Sequence, residues 1–184
     1  MVMMNDEDSQ LAKQSLDGNS SAFEELVRRN QDAVFNLAWR MTGNYHEAAD
    51  ITQETFIQAY RKLHSYKSAF AFKNWVLSIG SNLTKNRFRS HGRRQQMEKT
   101  LAEMQDLEPP PTTGSREEEL EAALSRLSEP LRTALVLKHM EGLSYEEIAQ
   151  TLGIGVSAAK MRVARGRDEL VLILESESVR ERLK

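Results

Sequence analysis

Three groups of polar side chains in this sequence stand at spacings that could do chemistry. Asn82, Lys85, Asn86 and Arg89 recur at helical steps, and Arg93-Arg94 extend their positive end. Just ahead of them, HSYKSAFAFKN mixes aromatic and basic residues, Phe70, Phe72 and Lys73 among them. Rings stack on bases, amides bond to base edges and cations hold phosphates, so this mixture suits unstacked bases better than an intact duplex. Further along, Ser157, Lys160, Met161, Ala164 and Arg165 share the outer face of a basic helical segment. Lysine or arginine there can bond to guanine edges or sit on phosphates, and spacing does not separate the two roles. Met161 and Ala164 can make apolar contacts, for instance to a thymine methyl. Lys138, on the preceding segment, is a lesser candidate for a backbone or base contact. The third group is Asp50, Gln53, Glu54 and Gln58, an acidic and amide stripe opposite Ile51, Phe56 and Ala59. It reads either as a solvated face or as a docking surface for a protein.

Other chemistries find little support. There is no cysteine, which excludes disulfides, thiolate zinc sites and cysteine nucleophiles, and fits a reducing cytosol. His46, His64, His91 and His139 have no metal-ligand spacing, so neither a metal nor a cofactor is expected. No catalytic triad or phosphate loop is visible, and the chain does not read as an enzyme. No apolar run approaches the roughly 20 residues of a membrane span, and the acidic start MVMMNDEDSQ lacks a signal peptide's apolar region. A cytoplasmic protein without membrane insertion is expected.

The net charge of −2 hides a blockwise pattern. Residues 1–60 carry 4 basic and 10 acidic side chains, whereas residues 61–99 carry 10 basic and 1 acidic. The next block, 100–130, has 2 against 8, and 131–184 is nearly balanced at 9 against 8. A cationic block this dense points to a polyanion, because phosphate contacts are local.

The elements that must position these groups are all helical. Leu11, Leu16, Phe23, Leu26, Val27, Val34, Leu37, Ala38 and Met41 recur at three- and four-residue steps. Asn19-Ser20-Ser21 offers caps, with Glu24 as the capping-box partner of Ser21, and Gly43-Asn44 ends the helix. A second helix is predicted from about Tyr45 to Leu63, with Ala48, Ile51, Thr55, Phe56, Ala59 and Leu63 inward. A third runs from near Phe70 past Phe88, with Trp75, Val76, Ile79 and Leu83 as its apolar stripe. Trp75 reads as core, while Phe70 and Phe72 stay open between core and base platform. From about Arg93 the pattern fails, and Pro109-Pro110-Pro111 marks an extended spacer. The expected architecture is therefore two helical domains, 1–94 and 117–184, joined by a flexible linker over 95–116.

In the second domain, helices are predicted from Glu117 to Leu127, from Glu129-Pro130 to Gly142, over Tyr145–Leu152 and from Val156 to about Leu174, with a frayed tail. Ser144 caps the third of these with Glu147 at the capping-box position, and Gly153-Ile154-Gly155 supplies a tight turn. A short helix, a glycine turn and a basic second helix meet the requirements of a helix-turn-helix. Ile148, Ala149, Leu152, Ile154, Val156, Ala159 and Val163 can pack its two helices together.

From Ser9 to about Leu174 the chain resembles bacterial sigma factors of the extracytoplasmic-function (ECF) group. AFEELVRRNQDAVFNLAWRMTGNYHEAADITQETFIQAYRKL and FKNWVLSIGSNLTKNRFRSHGRR resemble the subregions of region 2. LSRLSEPLRTALVLKHMEGLSYEEIAQTLGIG resembles region 4. The resemblance implies a factor that recruits core RNA polymerase to promoter DNA, with catalysis left to the polymerase. Asp50, Gln53, Glu54 and Gln58 would meet the clamp helices of the β′ subunit. The 64–73 loop would hold a flipped −10 base, supported by Asn82, Lys85, Asn86 and nearby basic residues. Lys160, Met161, Ala164 and Arg165 would read the −35 element, and region 4 would also touch the β flap. The linker would thread toward the RNA exit path, and an anti-sigma factor is an expected partner.

Several residues depart from the family pattern. Gly155 replaces a frequent proline, Met161 a small or polar residue, and Ala164 and Gly166 bulkier ones. Ser78 replaces an arginine, and the −10 loop reads SAFAF. Gly166 also costs roughly 1 kcal/mol of helix propensity. The short tail argues against subgroups with an extra C-terminal domain. Two rival readings are a stand-alone helix-turn-helix regulator and a sigma-like interaction protein. The Asp50/Gln53/Glu54 stripe weighs against the first, and the retained Lys160 and Arg165 against the second.

Overall fold

The computed structural model of the protein describes residues 3–99 and 116–182, and within them every regular element is helical. The helices are α1 (Met3–Leu16), α2 (Ser20–Thr42), α3 (Tyr45–Lys62), α4 (Phe72–Lys99), α5 (Arg116–Arg126), α6 (Glu129–His139), α7 (Tyr145–Leu152) and α8 (Val156–Arg182), with a short 3₁₀ turn at Leu63–Ser65. The Pro109–Pro111 spacer falls outside the described residues.

The first bundle packs α2, α3 and α4 against one another, with α1 laid on α2. Its inward residues follow the helical period of the sequence: Leu26, Val34, Leu37, Ala38 and Met41 on α2, then Ala48, Ile51, Thr55, Phe56 and Ala59 on α3, are all buried. Gly43, left-handed at φ +65°, closes α2, and the Asn44 side chain then accepts from the Glu47 N–H to start α3. The capping box expected at Ser21 and Glu24 does not form. The N-cap is Asn19, whose side chain makes no cap bond, and Ser21 lies inside the first turn of α2. Helix α1 is instead anchored from its outer side, where Arg29 pairs with Glu7 and Asp8 at 3.0 and 3.3 Å.

The second bundle sets α6 and α7 on α8, with α5 across α8. Ser144 and Glu147 form the reciprocal capping box expected of them, and Gly153 at φ +63° ends α7. Two helices run longer than their apolar patterns suggested. Helix α4 continues to Lys99 and α8 to Arg182. Both extensions are rich in arginine, glutamate and glutamine, which favour helix without needing a core, and neither contains a proline, although Gly92, Ser176 and Ser178 are weaker formers.

The two bundles are packed on each other, α2 against α5 and α6, and α4 against α7. One buried apolar cluster runs through both, from Leu26, Phe72 and Leu77 to Leu124, Leu137 and Ile148. Polar groups seal the seam. Arg132, buried on α6, donates to the Met41 carbonyl at 2.8 Å, and Thr133 meets the Met41 sulfur at 3.4 Å. Arg40 pairs with Glu121.

Gly166 has a packing reason that helix propensity does not reveal. A Cβ there would stand 2.9 Å from Leu135 Cγ and 3.2 Å from the Leu131 carbonyl oxygen, so α8 approaches α6 too closely for any side chain. Leu135 Cγ is a branch point rather than a flexible tip. The Gly166→Ala change therefore gains about 1 kcal/mol of propensity but incurs overpacking of roughly 1–3 kcal/mol. We expect a lowered Tm on thermal unfolding; a raised Tm would show that the helices can part at little cost.

Candidate nucleic-acid and polymerase interfaces

The face of α8 expected to meet DNA is laid open. Ser157, Lys160, Met161, Ala164 and Arg165 are all exposed, while Ala159 and Val163 on the opposite side are buried against α7. The capping box and the Gly153 turn set the angle between α7 and α8, and so present this face. Tyr145, at the start of α7, lies under two cations: Lys160 Nζ is 5.7 Å and Lys138 Nζ 4.7 Å from its ring centroid. Lys138 also donates to the Leu143 carbonyl at 3.0 Å. It is half-buried and tied to the α6–α7 turn, which it braces.

On α4 the structure divides the candidates. Asn82, Lys85 and Asn86 are exposed. Arg89, Arg93 and Arg94 belong to the α4 backbone, but their side chains lie outside the described residues. Phe72 cannot be a base platform. It is 0% exposed and among the largest fully buried side chains, because the first turn of α4 plugs the bundle between Tyr66 and Trp75. Phe70, by contrast, is 38% exposed at the head of the turn. Trp75 packs on the core, as its position in the apolar stripe suggests. Lys73 is half-exposed but engaged: its Nζ lies 2.8 Å from Glu141 Oε2 across the seam.

Three residues outside the expected set prove central to this region. Tyr66 stacks edge-on to Phe72 and tilts against Trp75, each at 5.3 Å between centroids. Its hydroxyl donates to the Phe70 carbonyl at 2.7 Å and lies 3.3 Å from Ser9 Oγ on α1. Burial pushes its pKa up, with the Ser9 bond opposing this and the negative charge of Asp8 adding to the rise. Asn74, only 6% exposed, donates from Nδ2 to Glu147 Oε1 at 3.0 Å. Arg132 holds the Ser125 and Leu127 carbonyls as well as Met41, and burial lowers its pKa against the opposing charge of Glu129. A lone arginine within the apolar run LRTALVL was the available signal for it.

The stripe on α3 is also placed outward. Asp50 and Gln53 are exposed, and Glu54 and Gln58 half-exposed, with Gln58 Nε2 donating to Glu54 Oε1 at 3.0 Å. Gln53 lies on the rim of a groove of about 790 Å³ between α2 and α3, lined by Phe23, Val27, Phe35, Tyr45 and Tyr60. No group of three or more metal-ligating side chains occurs among the described residues, and no described helix is long and apolar enough to cross a membrane.

Comparison with known proteins matches both halves. The family model for Sigma-70 region 2 covers residues 26–94, and that for Sigma-70 region 4 covers 117–170. An ECF RNA polymerase sigma factor SigE of Mycolicibacterium smegmatis is 38% identical over 81% of this chain, which spans 60% of that relative's length. The RNA polymerase sigma-H factor of Pseudomonas aeruginosa is 33% identical over 92% of this chain and 94% of its own. In three dimensions, the sigma factor RpoE of Bartonella quintana, solved in complex with the anti-sigma factor NepR, aligns at a TM-score of 0.69 with 27% identity. That alignment covers 83% of this chain and 96% of RpoE.

The loop before α4 should depend on the Tyr66 hydroxyl. Tyr66→Phe keeps the ring and removes both polar contacts, so backbone amide exchange at Phe70 should accelerate and stability fall by about 1 kcal/mol. Unchanged exchange at Phe70 would show that ring packing alone holds the loop.

Proposed function

The chain belongs to the ECF group of the sigma-70 family, directs promoter recognition by RNA polymerase and is not itself an enzyme; from that premise we propose how its surfaces divide the work. Residues 1–94 form the unit that docks on core polymerase and opens the −10 element, and 117–184 the unit that reads the −35 element. The exposed face of α8 carries this reading: its packing side is committed to α5, α6 and α7, leaving Lys160 and Arg165 outward on a helix of major-groove dimensions. The −10 strand is supported by Phe70 and by Asn82, Lys85 and Asn86, with Phe72 assigned to the core beneath. Arg89, Arg93 and Arg94 continue the same sequence of cations. The 64–73 loop receives a flipped base, and Tyr66 sets that loop's shape.

The α3 stripe and the adjoining apolar groove form the surface for the β′ clamp helices. Carboxylates and amides at the edge of a ring-lined trough suit an amphipathic helix carrying basic residues. Region 4 touches the β flap. An anti-sigma factor is a further partner, a reading supported by the likeness to RpoE, whose structure contains one. These activities place the protein in the cytoplasm. A stand-alone helix-turn-helix regulator is disfavoured, since region 2 accounts for 69 residues that such a regulator does not need.

Transcription from a promoter library, with purified core polymerase and with or without this protein, tests the whole reading. Transcripts starting only when the chain is added carry both elements upstream; their absence, together with selective duplex binding, supports a regulator instead. In the same assay Lys160→Ala with Arg165→Ala should reduce −35-dependent transcription by tenfold or more, at about 1–3 kcal/mol per base contact, while core affinity holds. Full transcription by this double variant refutes the reading role. The Asp50→Ala, Glu54→Ala pair should show the converse, weakening holoenzyme assembly by about tenfold in a core-binding titration. Wild-type affinity for core removes the stripe from the interface.

A further inference from the structure

Helix α4 and the corner between α6 and α7 meet through charge. Glu141, in the turn after α6, has its side chain 5% exposed and accepts Lys73 Nζ at 2.8 Å, while its carbonyl takes a second bond from the same ammonium at 3.3 Å. Six residues on, Glu147 receives Asn74 Nδ2 on one oxygen and the Ser144 backbone N–H on the other, at 3.0 and 2.8 Å. Both donors on α4 belong to its first turn, beside the aromatic loop. Farther along α4, Asn82 and Lys85 line a cavity of about 400 Å³ at the seam, shared with Glu129, Thr151 and Arg162 of the second bundle. The seam side of α4 thus meets region 4 at its first turn and faces it again across this cavity, where Asn82 and Lys85 stay exposed.

Each carboxylate occupies a position that suits an anionic oxygen of another origin. An ammonium and an amide N–H₂ one residue apart are phosphate ligands as readily as carboxylate ligands. We propose that the acidic α6–α7 corner is an internal docking surface that stands in for a DNA backbone on α4, so that region 4 and the promoter's non-template strand compete for Lys73 and Asn74. The proposal rests on the assignment of α4 to the −10 strand. The free chain is closed by this contact, and strand binding requires the bundles to part. A strand that binds only the open fraction has its apparent affinity reduced by that fraction.

The test uses the full chain, whose lack of cysteine allows a dye pair to be placed at Glu24→Cys on α2 and Glu169→Cys on α8, both exposed positions. Glu141→Gln combined with Glu147→Gln removes both charges while glutamine still serves the capping box. Glu146→Gln, exposed beside Glu147 on α7, removes one neighbouring negative charge while touching neither donor, and so controls for a general electrostatic gain in strand binding. The probe is a single-stranded oligonucleotide carrying the −10 non-template sequence found by the promoter library. The double variant should lower energy transfer between the dyes and bind the oligonucleotide about tenfold tighter, the gain available to a chain open one-tenth of the time. Glu146→Gln should do neither.

Unchanged energy transfer overturns the docking contact. Opening without tighter binding overturns the competition, as does an equal gain from Glu146→Gln. If neither the closed nor the opened chain binds the strand, the −10 assignment of α4 fails and the competition with it, while energy transfer still reports on the contact itself.

Discussion

A buried guanidinium needs hydrogen-bond partners, and the two terminal nitrogens of Arg132 find them in three backbone carbonyls from two bundles, while its Nε has none. Two of these, Ser125 and Leu127, close the turn between α5 and α6 and so fix the entry into the helix-turn-helix. The third, Met41, belongs to the end of α2. The planar fork of arginine makes this possible; a lysine would supply one flexible point of charge. The residue that organises region 4 internally is thus also the one that seats it on region 2. The ring of Phe88, 5.6 Å from the guanidinium carbon, adds an α4 contact to the same cation.

Glu147 shows the same economy on a smaller scale. Burial pushes its carboxyl up, but the Ser144 backbone and side-chain bonds, the Asn74 amide and the charge of Lys73 outweigh this and hold it below its ordinary value. It therefore stays ionised at neutral pH, as both of its tasks require. One oxygen stabilises the start of α7, and the other meets α4. The local geometry that presents the recognition helix and the geometry that packs the two bundles share an atom group, so the angle of α7 is defined from both sides.

Much of the fold was readable from spacing. The stripes Ala48-Ile51-Thr55-Ala59 and Ile148-Ala149-Ala159-Val163 are buried because an amphipathic helix has one energetically sensible face. The Ser144/Glu147 box and the Gly43 and Gly153 stops are likewise local chemistry. Phe72 marks the limit. Beside Phe70, and in the same aromatic and basic stretch, its type carries no information on whether it faces a base or a core; the first turn of α4 points one ring inward and leaves the other at 38% exposure. The partners of Lys138 are hidden in the same way, since only the folded α6–α7 turn brings a carbonyl and a ring within its reach.

Properties that act within about one helical turn, such as the Ser144/Glu147 box, the Gly43 and Gly153 stops, the apolar periodicity and the outward face of α8, were already settled in the one-dimensional chain. Their physics is short-ranged and depends on residues three or four apart. The partnership of Lys73 with Glu141, of Asn74 with Glu147 and of Arg132 with Met41 joins groups 68 to 91 residues apart. No periodicity encodes such pairs, because they arise when two separately stable faces are brought together and their remaining polar groups must find partners. Gly166 belongs with them: a costly residue in an isolated helix, it is the one that fits where α8 comes within van der Waals contact of Leu135.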